Sequence, residues 1–102
     1  MLDAAREATA FLAGREREHL DRDRVLTLAL VKEMEIVGEA ASRVSDSVRH
    51  SLPDIPWAQI TGMRNRLIHA YFDVDLDRVW DTVREDLPPL ITALEAALAE
   101  PT

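Results

Sequence analysis

At 102 residues and a formal net charge of −7, the chain has room for one hydrophobic core, and residues 1–102 are read as a single domain. The absence of cysteine excludes disulfides, thiolate nucleophiles and the commonest structural zinc sites. Twelve basic against nineteen acidic side chains exclude a general phosphate-binding surface, so any nucleic-acid role must be local.

Ala, Leu, Val, Glu and Arg dominate a composition that is 47% hydrophobic but only 5% aromatic, a mixture that favours helices. Leu2, Ala5, Ala8 or Thr9, and Leu12 recur at helical spacing, which predicts a first helix from Leu2 to about Arg17, fraying through Gly14. A charged connection follows, with Asp21 or Asp23 placed to cap the next helix. From Val25 to Val44 the pattern is strongest, with Val25, Leu26, Ala29, Leu30, Ile36, Val37 and Ala40 on one broad arc. Lys32, Glu35 and Glu39 share the other side, and Ala29, Ala40 and Ala41 are small enough for a neighbouring helix to come close. The apolar run from Val25 to Val31 is interrupted by Thr27 and too short to span a bilayer, and no apolar leader opens the chain; a soluble, cytoplasmic protein with no membrane partner is expected.

Residues 45–54 read as a short helical turn and loop ended by Pro53 and Pro56, the latter suited to the first turn of a third helix. That helix is predicted from Trp57 to Ala70, with Ile60, Met63 and Leu67 on its apolar stripe. Asp75 is a plausible cap for a last helix from Leu76 to about Glu100, kinked or divided at Pro88-Pro89. The architecture predicted is all-α, a small antiparallel bundle of four to five helices.

Unusual residue types concentrate in Gly62-Met-Arg-Asn-Arg-Leu-Ile-His-Ala-Tyr71. With Arg64 set at zero on an ideal helix, Asn65 falls at about 100°, His69 at about 140° and Tyr71 near about −20°, away from an apolar stripe centred at about −80°. Ile68 falls among these polar groups, where a monomer would leave it in water, which points to a two-fold dimer contact that brings two copies of the polar set together. An imidazole titrating near neutrality can take a proton from a ribose 2′-hydroxyl or give one to a leaving 5′-oxygen. Arg64 can offset the charge that builds on phosphate, Asn65 can hold His69 or the phosphate, and Tyr71 can donate to phosphate or stack on a base. Arg66 either lines the same cleft or holds a carboxylate. No cofactor or metal is needed, because the nucleophile is part of RNA.

Arg64-x4-His69-x-Tyr71 resembles the signature of the HepT-like branch of HEPN proteins. The likeness extends in order through Glu35-Ile-Val-Gly-Glu-Ala40, Ile55-Pro-Trp57, Met63-Arg-Asn-Arg-Leu-Ile-His69, Tyr71-Phe-Asp-Val-Asp75 and Asp86-Leu-Pro-Pro-Leu90. What the resemblance implies is a homodimeric, metal-independent endoribonuclease toxin, with Arg64 and His69 the catalytic pair, Asn65 their polar helper and Tyr71 a further site residue. It also implies an antitoxin partner resembling a minimal nucleotidyltransferase, for which Tyr71 is the candidate AMP acceptor. A modified Tyr71 would put bulk and negative charge where RNA phosphate must sit. The rival reading is a non-catalytic helical adaptor that binds such a partner.

Other residues have plainer readings. His19 and His50 read as solvated surface positions, and Trp57 and Trp80 as core anchors. Glu35 and Glu39 lie four apart, either solvated or paired with Arg64 or Arg66. Asp73, Asp75 and Asp77 alternate like the start of a calcium loop, but the turn glycine is missing and position twelve is Arg84, so a helix cap is the better reading.

Overall fold

A row of small residues starts the core. Leu2–Leu12 forms α1, which buries Ala4, Ala5, Ala8 and Leu12, and with alanine at most of these positions its backbone lies close against α3. This computed structural model describes residues 1–70 and 73–99; residues 71, 72 and 100–102, and the side chains of Arg64, Ile68, His69, Ala70 and Asp73, lie outside that description. α1 stops short of the predicted Arg17 because Gly14 turns the chain at φ 74°, a conformation that glycine adopts without a steric penalty. After the single turn α2 (His19–Arg22), the Asp23 carboxylate accepts from the Leu26 amide at 3.0 Å and starts α3, Arg24–Ser42. Asp21, the other candidate cap, instead pairs with Arg17 at 3.3 Å.

α3 is the central helix, packed on α1 on one side and on α5, α6 and α7 on the other. Its predicted apolar arc divides in two. Leu26, Leu30 and Val37 are buried with Thr27, Met34 and Ala41, whereas Val25 is 79% and Ile36 40% exposed. Ala29 and Ala40 are only half-buried, so the close approach falls to Gly38, where an added Cβ would lie 3.1 Å from the Ile60 carbonyl oxygen and 3.3 Å from that of Thr61.

One carboxyl lies on the buried face of α3. Glu33 is 7% exposed, its Oε2 has no hydrogen-bond partner among the described residues, and burial together with the nearby Glu7 carboxylate pushes its pKa upward. The folded state therefore holds this proton more tightly than the unfolded chain does. The resulting stabilisation is fully present below the ordinary glutamate range and is lost as pH rises through the raised value. Glu33→Gln should remove that loss, so its gain in thermal midpoint over wild type should be larger near about pH 7 than near about pH 4. Calorimetry of both proteins across that range is the check, and a difference independent of pH would contradict it.

α4 (Asp46–Ser51) is capped by the Ser45 hydroxyl, which accepts from Val48 N at 3.3 Å. Two arginines close the carboxyl ends of the long helices. Arg49 donates to the Ala41 and Val44 carbonyls at 2.8 and 3.2 Å and lies over Trp57. Arg84 donates to the carbonyls of Arg15 at 2.8 Å and Leu12 at 3.4 Å and lies over Trp80. Both tryptophans are half-buried against the core, each with a guanidinium over its ring.

The predicted third helix is broken twice. α5 (Trp57–Thr61) begins after Pro56, Gly62 interrupts it, and α6 (Met63–Leu67) ends three residues before Ala70. Ile68–Ala70 forms a strand, β1, antiparallel to β2 (Asp73–Val74), in a register that pairs Ile68 with Val74. Beta-branched Ile68 and Val74 favour extended backbone here, and the Asp75 amide takes up the Leu67 carbonyl at 2.7 Å where the helix stops. The fold is the expected helical bundle with this small hairpin added.

The last helix also differs from its prediction. Asp75 caps α7 (Leu76–Asp81), accepting from Arg78 N at 3.0 Å, but the irregularity occupies Thr82–Asp86, a π-helical segment, rather than the proline pair itself. Pro88 and Pro89 supply no amide and would crowd the carbonyls of Arg84 and Glu85 four residues back. The chain widens just before them, the Leu87 amide reaching five residues back to Thr82, and α8 (Leu87–Ala99) then takes both prolines in its first turn. Val79, Val83, Leu87, Leu90 and Leu94 continue one buried stripe through the change.

Candidate active site

α6 is positioned from its buried side. Met63 and Leu67 are in the core, which turns Asn65 and Arg66 outward. Asn65 opens on a groove between α3 and the α5–α6 pair, lined also by Lys32, Glu35, Glu39, Arg43 and Thr61. The groove is tight at its base because Gly38 admits the α5 backbone. Its carboxylates are matched along α3, Glu39 with Arg43 at 2.8 Å and Glu35 with Lys32 at 3.8 Å. Glu39 is thus held by its own helix rather than by Arg66.

Arg66 lies on the other side of α6 from Asn65. Its guanidinium donates to the Gln59 carbonyl and lines a second cavity, against α7 and α8. Among the described residues it neither lines the Asn65 groove nor pairs with a carboxylate.

His69 sits on β1, so the helical angle assigned to it, and its one-turn relation to Asn65, do not apply. The backbone nonetheless keeps Arg64, Asn65 and His69 at one junction: Arg64 and Asn65 are in α6, and His69 follows the end of that helix by two residues. The side chains of Arg64 and His69, that of Ile68, and all of Tyr71 lie outside the described residues. The case for a second buried face instead comes from α3, where Val25 and Ile36 are exposed and Ala29 and Ala40 half-buried on the side away from the core, interspersed with Lys32 and Arg43 and beside the Asn65 groove.

The two remaining histidines make local contacts. Nδ1 of His19 accepts from the Glu16 amide at 2.8 Å, and Nδ1 of His50 lies 2.8 Å from the Asp46 carbonyl, both local turn contacts. Among the described residues no group of three acidic, histidine or cysteine side chains could hold a metal ion, and no helix is long and apolar enough to cross a membrane. Two features escape a reading by apolar periodicity. Gly38 in mid-helix was itself the signal of a close backbone approach. Arg78, Thr82, Glu85, Asp86 and Pro89 recur at 4, 3, 1 and 3 residues and line the Arg66 cavity together.

With this geometry in place, comparison with known proteins decides the family. The model of the family described as Ribonuclease HepT-like matches residues 1–97. The chain belongs to the HepT-like ribonuclease family. Among HepT-like relatives, "Putative RNase MJ1380" of Methanocaldococcus jannaschii is 30% identical over 95 residues, covering 93% of this chain and 87% of its own. "Probable ribonuclease HepT" of Thermococcus cleftensis is 41% identical over 68 residues, 67% of this chain and 62% of its own. "Putative RNase TTE0752" of Caldanaerobacter subterraneus is 40% identical over 73 residues, 72% of this chain and 65% of its own. No solved structure matches this member of the HepT-like family.

Proposed function

We propose that this protein is an endoribonuclease that cleaves RNA by transesterification, with Arg64, Asn65, His69 and Tyr71 as its catalytic set. The observation that carries the reading is the HepT-like match over residues 1–97, which contains the Arg64-x4-His69-x-Tyr71 signature. His69 takes the proton from a ribose 2′-hydroxyl, whose oxygen attacks the adjacent phosphorus. The bond to the 5′-oxygen breaks, and that oxygen leaves with a proton returned by an imidazole. Arg64 offsets the charge gathering on the phosphate, and Asn65 orients phosphate or imidazole. The products are a 2′,3′-cyclic phosphate and a 5′-hydroxyl, and the chemistry asks no metal of the protein. Incubating purified protein with RNA in excess EDTA and identifying the new termini by mass spectrometry is the test. Cleavage lost under EDTA, or 3′-hydroxyl and 5′-phosphate ends, would overturn the mechanism.

The acting species is a homodimer. The exposed strip of Val25 and Ile36 on α3 supports this, since a two-fold contact there would cover it and set two Asn65 grooves side by side. Ile36→Glu places a charge in that contact and should shift the sedimentation coefficient to the monomer while reducing cleavage at least tenfold. An unchanged dimer would remove α3 as the interface.

The same reading makes the protein the cytoplasmic toxin of a toxin–antitoxin pair, restrained by a minimal nucleotidyltransferase that attaches AMP to Tyr71. Co-expression with that enzyme should add one AMP mass per modified tyrosine. A non-catalytic adaptor for the same partner is the second reading, favoured by Glu35 and Glu39 in the Asn65 groove, where they oppose RNA phosphate. Absence of cleavage with retained binding to the nucleotidyltransferase would select it.

A further inference from the structure

The cavity on the Arg66 side of α6 is faced by a polar group that the fold leaves unused. Thr82 is only 3% exposed, and its side-chain hydroxyl makes no hydrogen bond among the described residues. What surface it keeps lies in this cavity, and the oxygen is not sealed away from it. A hydroxyl set so deep without a partner costs stability, and a donor supplied from the cavity would recover that loss. The charges around it do not balance either. Asp54, Glu85 and Asp86 line the cavity against Arg66 and Arg78, three carboxylates to two guanidinium groups. None of the three carboxylates has an ion pair or a hydrogen bond among the described residues, and Arg66 donates to the Gln59 carbonyl instead. Glu85 and Asp86 follow Thr82 by three and four residues, about one helical turn, while Arg78 precedes it by four, a turn in the other direction. Ile55, Ile60, Met63 and Leu90, all buried, supply the apolar lining of a space of about 230 Å³.

A ligand for this cavity brings hydrogen-bond donors and positive charge, and is small and otherwise apolar. We propose that the cavity binds an organic cation, an ammonium or guanidinium carried on a short aliphatic stem, which donates to the Thr82 hydroxyl oxygen and to the carboxylates of Glu85 and Asp86. The hydroxyl oxygen can accept without giving up its own proton, and N–H groups that bear charge make the stronger bonds to carboxylates. The stem lies along Ile60, Met63 and Leu90, as the methylenes of lysine and arginine lie along apolar surface elsewhere. Arg78, a turn before Thr82, repels the cation and so fixes which side of the hydroxyl it takes. The formal net charge of −7 draws cations toward the whole protein and adds nothing for an anion. A free aliphatic amine or guanidine and a lysine or arginine side chain presented by another protein share this chemistry. The inference stands apart from the ribonuclease reading, since Asn65 opens on the other groove.

Isothermal titration of the full chain with agmatine, an aliphatic guanidinium, and with the peptide acetyl-glycyl-arginyl-glycinamide tests it. The expected result is saturable binding of at least one probe, one per protomer. Asp86→Asn and Glu85→Gln should each weaken it roughly fivefold, the loss of one charge-assisted hydrogen bond. Glu18→Gln, which changes net charge equally at an exposed position outside the cavity, should leave it as in wild type. Thr82→Val keeps the shape of the side chain without its oxygen and should weaken binding about threefold. Arg78→Gln should tighten it about threefold by removing a like charge, the opposite of what a site for an anion would show. A peptide bound as tightly as agmatine, or more so, marks a side chain brought by a protein. A peptide bound more weakly marks a free cation. Should Thr82→Val fail to fold, Asp86→Asn and Arg78→Gln decide, both being changes at exposed positions. Absence of saturable binding by both probes, an Asp86→Asn protein that binds as Glu18→Gln does, or weaker binding in Arg78→Gln overturns the proposal, whatever the protein does to RNA.

Discussion

Replacing His69 with alanine should lower RNA cleavage by about 10²–10⁴-fold, the usual contribution of a positioned acid or base. The helical circular-dichroism signal and the sedimentation coefficient should stay as in wild type, because the position lies on the two-stranded hairpin rather than in a helix. Arg64→Ala, made in parallel, should cost about 10²–10³-fold through lost stabilisation of phosphate charge. A double variant no slower than the worse single one would show that the two act on one step. Both roles were assigned from residue type and family signature. The decisive quantity is therefore the rate of each variant beside its unaltered fold. An His69→Ala protein that still cleaves at the wild-type rate would refute the assignment outright.

How much of this was legible in the residues depends on which forces fixed each element. Asp23 and Asp75 could be placed as caps because capping is local: a carboxylate three residues ahead of a free amide has few competing partners. The buried stripe from Val79 to Leu94 was equally plain, since it survives the change in helical type beneath it. The end of α6 was not. Ile68 fits helix and strand alike, and pairing with Val74 across the hairpin decides in favour of strand, a long-range effect that helical periodicity does not record. The break expected at Pro88-Pro89 lies at Thr82–Asp86, because the prolines' demand for space is met about one turn earlier. For the candidate site the residue types were legible while their mutual geometry was not. Asn65 and Arg66 are neighbours in sequence yet open on different cavities, and only the burial of Met63 and Leu67 fixes which side each takes.

Gly38 is where fold and candidate site depend on the same atoms. Gly38→Ala should gain about 1 kcal/mol of helix propensity, but its Cβ would sit 3.1 and 3.3 Å from two backbone carbonyl oxygens that cannot rotate aside. Overpacking of this kind costs about 1–3 kcal/mol, so alanine should come out between neutral and mildly destabilising. Gly38→Val adds two methyl groups against the same carbonyls and loses most of the propensity gain. Its expected net cost is about 3 kcal/mol, and thermal unfolding should begin more than roughly 10 °C lower. The alanine variant is the more informative about the groove. If α5 yields by a few tenths of an ångström to admit the methyl, α6 and Asn65 move with it, and cleavage should fall several-fold at nearly unchanged stability, since small misplacements of positioning groups are costly in rate. A Gly38→Val protein as stable as wild type would mean that the two helices do not meet through their backbones here, and the base of the groove would have to be drawn differently.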